Sequence, residues 1–253
     1  MRNVIAIADK ELRSYFSSPI AYIIIGFFLL PFGVFFYLYL TAFVRQSLQG
    51  AQLGGPMNVN QQVIRYVLQN ASVIILFIMP MITMRTYSEE KRSGTIELLL
   101  TSPVTDVEII LGKFFGALGL YCAMLLVTLL YMAILFVYGQ PEWRPLVAAY
   151  LGLLLMGGAF VSIGLLISST TNNQIVAGIV SFVVFLLLWI VGWFAESAGP
   201  TMGAITSYMS ITEHFDDFSK GIIDTSHVIY YLSLITFGLF LTAKSVDTER
   251  WRG

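Results

Sequence analysis

The sequence predicts an all-α integral membrane protein with six transmembrane helices. Three observations predict it. Of 253 residues, 57% are hydrophobic and only 11% are charged, whereas soluble domains carry about 25% charged residues. Mean hydropathy is +0.79. Several apolar runs reach the roughly 20 residues needed to cross a ~30 Å hydrocarbon core. A β-barrel would show ten-residue segments of alternating polarity instead, and the sequence has none.

Residues 3–16 read as an amphipathic interfacial helix. Val4, Ile7, Ala8, Leu12, Tyr15 and Phe16 make one stripe, with Asp9, Lys10 and Arg13 off it. Ser18-Pro19 gives an N-cap followed by proline at the first helical position. The first span covers about 20–44, carries no charge and has Pro31 as a kink position. It is longer than a signal-peptide h-region and lacks a small-residue cleavage site, so it is expected to stay in the mature chain. Residues 45–62 are rich in glutamine and asparagine and read as a loop.

Span two covers about 63–84. Its strongly apolar part, 71–84, would rise only roughly 21 Å, so the helix needs Val63, Ile64, Val67 and Leu68, with Arg65 snorkelling. Span three covers about 107–137. It opens on Thr105 and Glu108 at capping-box spacing. Gly112 and Gly116 permit close helix contact, and Lys113 is near enough to the end to snorkel. Span four covers about 146–167 and span five about 175–194, joined by the uncharged polar turn 168–174. Residues 195–226 mix acids with methionines and aromatics and suit short interfacial or re-entrant helices. Span six covers about 226–244. No linker or repeat divides the chain, so residues 1–253 are expected to form a single membrane domain.

Six spans put both termini on one side. With that side cytoplasmic, ten lysines and arginines lie inside and four (Arg45, Arg65, Arg144 and Lys220) outside, which satisfies the positive-inside rule.

The stretch 84–104 stands apart. It holds three acids and three bases between two apolar runs. Ile96, Leu99, Leu100 and Pro103 share a helical face, and Gly94 should break the helix into two interfacial pieces. Ion-driven carriers need ionisable or unwound sites near the midplane. Here spans one, four and five carry no charge, and the charges of the others lie near their ends. Energy for uphill movement would therefore enter from outside the spans, at this stretch. No catalytic constellation accompanies it. The two histidines, His214 and His227, read as satisfied polar residues, and the single Cys122 forms no intrachain disulfide.

The run Glu89-Glu90-Lys91-Arg92-Ser93-Gly94-Thr95-Ile96-Glu97-Leu98-Leu99 followed by Pro103 resembles type 2 ABC-transporter permeases. The closer similarity is to the gliding-motility-associated permease subfamily. Residues 10–19, 109–113 and 168–174 extend the resemblance over nearly the whole chain. It implies a permease subunit of an ATP-driven exporter in the inner membrane, not itself an enzyme. Two identical or related permease halves would pair in the lipid bilayer. ATP and Mg would bind only on a separate cytoplasmic ATPase subunit, and nucleic acid has no role. The implied coupling helix contains Glu89, Glu90, Gly94, Thr95 and Glu97. A second coupling turn contains Ser168, Thr171 and Asn173, and the segment before the last span would form re-entrant helices on the outer side. Similar permeases serve lipids, polysaccharides, drugs or copper-enzyme maturation. A passive channel or a membrane scaffold is the alternative reading of the residues, and a membrane-embedded enzyme is disfavoured.

Overall fold

The computed structural model describes residues 2–50, 58–95, 104–194 and 199–250. The described residues contain helices and no strand. An N-terminal helix α1 (Arg2–Ser17) leads into α2 (Pro19–Gly50). A π-helical turn (Asn60–Ile64) opens α3 (Arg65–Thr83), and the short α4 (Ser88–Ser93) follows. The long helices α5 (Asp106–Tyr138) and α6 (Trp143–Ser169) come next. Helix α7 (Gln174–Ile190) ends in a 3-10 turn (Val191–Phe194). Two short helices, α8 (Pro200–Met209) and α9 (Ile211–Ser219), precede α10 (Thr225–Arg250). Six of these helical stretches are long and apolar enough to cross a membrane.

Helix α6 sits at the centre and packs against α3, α5, α7, α9 and α10. Bilayer helices are drawn together by close packing rather than by a hydrophobic drive, so small residues favour contact. α6 supplies them with Ala148, Ala149, Gly152, Gly157, Ala159 and Ser162, all buried. A Cβ placed on Gly157 would lie 2.1 Å from the Tyr121 ring of α5. Tyr121 in turn donates its hydroxyl to the Leu153 carbonyl at 2.8 Å.

Several boundaries differ from the expectation. Residues 45–50 belong to α2 rather than to a loop, and α10 runs six residues past Lys244. Polar side chains mark where a helix leaves apolar surroundings, not where its backbone hydrogen bonds stop. α2 also continues unbroken through Pro31. Trp143 and Arg144, which precede the expected start of span four at about 146, begin α6. The loop before α6 is held by Asn60, which donates to the Glu142 carbonyl at 2.8 Å and accepts from the Glu142 amide at 3.0 Å.

Span three opens on the capping box its sequence announces: the Thr105 hydroxyl accepts from the Glu108 amide, and the Glu108 carboxylate accepts from the Thr105 amide. The glycine pair that follows takes α1 as its partner. A Cβ on Gly112 would meet Ile7, and one on Gly116 would meet Glu11, each at 2.6 Å. α1 thus lies along the first turns of α5. It is pinned at one end by Asn3, which donates to Glu108 at 3.2 Å, and at the other by Tyr15, whose hydroxyl donates to the Ile82 carbonyl at 2.9 Å.

Candidate functional site

The chain turns at Met84–Tyr87 and forms α4, six residues with Glu89 and Glu90 in the first turn and Lys91 and Arg92 in the last. That order of charges complements the helix dipole. Gly94 ends the helix with φ of 72°, the left-handed backbone that glycine adopts at no steric cost. The helix therefore breaks at Gly94, where the sequence places the break. Thr95 stays close, its hydroxyl 2.9 Å from that of Ser93. Glu97 and the apolar face of Ile96, Leu99, Leu100 and Pro103 lie outside the described residues.

The two acids of α4 point in different directions. Glu89 is half-exposed and pairs with Arg85 at 2.9 Å. Glu90 turns inward to Lys113 of α5 at 2.8 Å and to Lys10 of α1 at 3.4 Å. Lys113 does not snorkel, contrary to the expectation. Its side chain is 1% exposed because α1 covers it. The ammonium finds three oxygens: Glu11 at 3.0 Å, Glu90 at 2.8 Å and the Thr86 carbonyl at 2.8 Å. It also lies 5.0 Å from the centre of the Tyr87 ring, a cation–π contact. A buried charge is tolerated when it is paired and hydrogen-bonded in this way. Burial pushes the Tyr15 phenol up, so it stays neutral beside the ion pairs.

Arg65, the other expected snorkeller, is partly buried and pairs with Asp216 of α9 at 3.0 Å.

The turn between α6 and α7 reaches the same place. Ser168 is fully buried. Its hydroxyl accepts from the amides of Tyr87 and Ser88, both at 3.1 Å, and donates to the Met84 carbonyl at 3.0 Å. The Lys91 ammonium donates to the Ser169 carbonyl. Thr171 accepts from the Asn173 amide at 3.2 Å, and Asn173 caps α7 through the Ile175 amide at 2.9 Å. Ser168 thus joins the α4 turn, whereas Thr171 and Asn173 shape an outward-facing turn beside it.

Between α1 and α4 is a cleft of about 450 Å³. Lys10, Ser14, Arg85, Glu89, Glu90 and Thr95 contribute to its walls. Its polar, charged lining suits a protein partner's side chains better than an apolar ligand.

Sequence reasoning passed over Glu11. Its signal was its spacing: it falls four residues after Ile7 and four before Tyr15, inside the apolar stripe of α1. A charge in that position implies a buried partner, and Lys113 is the one it meets.

No curated protein matches the chain. The model of a protein family described as ABC-2 family transporter protein matches residues 5–244. Its members are membrane permeases that transport together with an ABC ATPase subunit. With that match over nearly its whole length and six helices able to cross a bilayer, the chain belongs to the ABC-2 transporter family and is a multi-pass membrane protein.

Proposed function

We propose that the chain is the permease half of an ATP-driven exporter and that its ATPase partner docks at the α1–α4 cleft and the adjoining α6–α7 turn. The observation that carries this reading is the Lys113 junction. One buried ammonium ties α1 through Glu11, α4 through Glu90 and the chain before α4 through Thr86 to the start of α5. Force applied to α4 would therefore pass to the spanning helices rather than be absorbed by a slack loop. Ser168 carries the same force into α6.

In this reading Glu89, Thr95 and Glu97 meet basic or polar groups of the ATPase. Gly94 sets the angle of the following segment, and Thr171 and Asn173 shape the second contact. Glu90 acts from inside by holding α4 on α5. ATP and Mg bind on the partner. A second permease half, identical or related, completes the path, and the α1–α4 face lies in the cytoplasm with both termini. The finer likeness to the gliding-motility subfamily rests on the residues quoted above.

The test is co-expression with an ABC ATPase subunit that co-purifies with the unaltered chain. Gly94→Leu places a side chain at positive φ, and Glu89→Ala removes an outward charge. Both should leave membrane insertion intact while reducing ATPase co-purification or uncoupling hydrolysis from transport. Normal binding and coupling in both variants would reduce α4 to a connector and favour the passive-channel or scaffold reading.

A further inference from the structure

At the end of α6 opposite Ser168, α8 and α9 form a small cap. α9 docks on α6 where a Cβ on Gly152 would lie 2.5 Å from Phe218. Two tyrosines of α10 hold the backbone at its start: Tyr230 donates to the Met209 carbonyl at 2.9 Å, and Tyr231 to the Ile211 carbonyl at 2.7 Å. The only two histidines of the chain meet here. His214 is buried and stacks on Tyr230 with ring centres 3.7 Å apart. Its Nε2 lies 3.0 Å from the Tyr208 carbonyl, and its Nδ1 lies 2.7 Å from Nδ1 of His227. His227 Nε2 lies 3.0 Å from the Asp217 carboxylate.

These contacts fix a proton count whichever tautomers are chosen. The carbonyl and the carboxylate only accept, so each needs an N–H facing it. The nitrogen–nitrogen contact needs one hydrogen between its two atoms. The pair must therefore carry three ring protons, and two neutral imidazoles carry only two. One ring is an imidazolium. Burial holds His214 below the ordinary histidine range, with the neighbouring His227 adding to the effect, and the Asp217 carboxylate, 3.0 Å from His227 Nε2, places a negative charge at the other end of the pair. Asp217 is held below the usual carboxylate range, first by the His227 hydrogen bond and then by Lys220.

We propose that His214, His227 and Asp217 form a proton-dependent latch that fastens α9 to the start of α10 while the two imidazoles share one positive charge. Loss of that proton leaves a bare ring nitrogen against the carbonyl, the other ring or the carboxylate. A second proton sets two N–H groups against each other across 2.7 Å. The latch therefore has an acid limb and an alkaline limb within the range where histidine charge changes, about pH 5 to 8. Because burial lowers His214, its neutral form stabilises the cap above the ordinary histidine range. That contribution is lost as pH falls towards the lowered value.

Asp224, before α10, bonds the amide and hydroxyl of Ser226. Lys220 bridges Asp216 and Asp217, and Arg65 of α3 pairs with Asp216. The Glu213 side chain approaches Gly192 in the turn after α7. Tyr208 packs edge-on to His214. α6 meets α9 at Gly152, and α7 meets it at the Trp189 carbonyl.

The experiment uses the full chain in nanodiscs, with any affinity tag removed, and 15N-labelled histidine. Near neutral pH, three of the four ring nitrogens should be protonated, and the pair should titrate in two separate steps. Amide exchange over residues 208–219 and 225–231 should be slowest between those steps. It should quicken at least tenfold on either side, as expected when a charged hydrogen bond is lost. Asp217→Asn supplies an amide that can donate to a neutral ring, so the alkaline limb should vanish while the acid limb stays. Two histidines titrating together with one midpoint, or exchange that is flat from pH 5 to 8, would overturn the proposal. Should Asp217→Asn fail to fold, the nitrogen count in the unaltered chain decides alone. Only two protonated nitrogens in a protected cap refute it.

Discussion

Lys113 makes an asymmetric prediction. Its side chain is 1% exposed, whereas those of Glu11 and Glu90 are 13% and 16% exposed. Replacing both acids, Glu11→Gln with Glu90→Gln, strands an ammonium that water cannot reach. Breaking a buried pair from one side costs about 3–5 kcal/mol. At about 2–4 °C per kcal/mol for a chain of this size, the apparent melting temperature should fall by roughly 6–20 °C. Either single change leaves the other carboxylate beside Lys113, together with the Thr86 carbonyl, and should cost well under half as much. Lys113→Met also costs less than the double change. The two acids it leaves behind are partly wetted and sit within 3.7 Å and 3.4 Å of Lys10. The assay is thermal unfolding of the four variants in one detergent, read by protease resistance of α1. The reasoning fails if the singles sum to the double within about 0.5 kcal/mol, the agreement expected of independent sites. It fails equally if Lys113→Met proves the worst of the set.

Three further outcomes follow from the packing, the charges and the helix ends. Gly157→Ala would ordinarily gain helix propensity of about 1 kcal/mol; with Tyr121 in the way it should instead destabilise by about 1–3 kcal/mol, and an unchanged melting temperature would contradict the contact. Asp216 and Asp217 both have lowered folded values: Asp216 despite the opposing effect of burial, through Lys220 and Arg65, and Asp217 through His227 and then Lys220. Their contribution is therefore present above the ordinary carboxylate range and lost as pH falls through the lowered values, so protease resistance of α9 should decline below about pH 4. Cysteines at Ser93 and Thr225, in a Cys122→Ala background, should react with an impermeant reagent from opposite sides of sealed vesicles; labelling from one side only would overturn the arrangement of helix ends.

Much of the architecture was legible because the bilayer imposes a coarse code. Runs of apolar residues give spans, and Thr105 with Glu108 marks a helix start that the backbone then adopts. What could not be read came from contacts between segments far apart in sequence. Lys113 looked able to reach water because nothing in its own helix says that α1 will cover it. Nothing in the coupling stretch tells Glu90 from Glu89 for the same reason: the partners of Glu90, Lys10 and Lys113, are 80 and 23 positions away. The glycine pair announced a close approach without naming the partner. His214 and His227 are thirteen positions apart with a helix end between them, so hydropathy gave no sign that their rings would touch. Helix ends were misjudged at Val44 and Lys244 because hydropathy reports the surrounding medium, while helix continuation depends on backbone bonding and helix-forming side chains.

One helix joins the two sites. The Ser168 hydroxyl holds the turn before α4, and Gly152, sixteen residues earlier in α6, receives Phe218 of the cap. At 1.5 Å per residue the two contacts are roughly 24 Å apart along the axis. No proline lies between them, and the α6 backbone is helical throughout. Both ends grip closely, one through three hydrogen bonds to a buried hydroxyl and the other through a ring against a bare backbone. A helix held so tightly at both ends transmits a shift or rotation more readily than it bends, because its packed neighbours fit only discrete arrangements. α10 runs alongside α6 and carries His227 near its start, while its Ser245 bonds Ser169 at 2.9 Å near its other end. The α6–α10 pair therefore spans the distance between the α4 junction and the histidine latch, each helix anchored at both. A change in how α4 is held reaches the cap through helices already in contact with it.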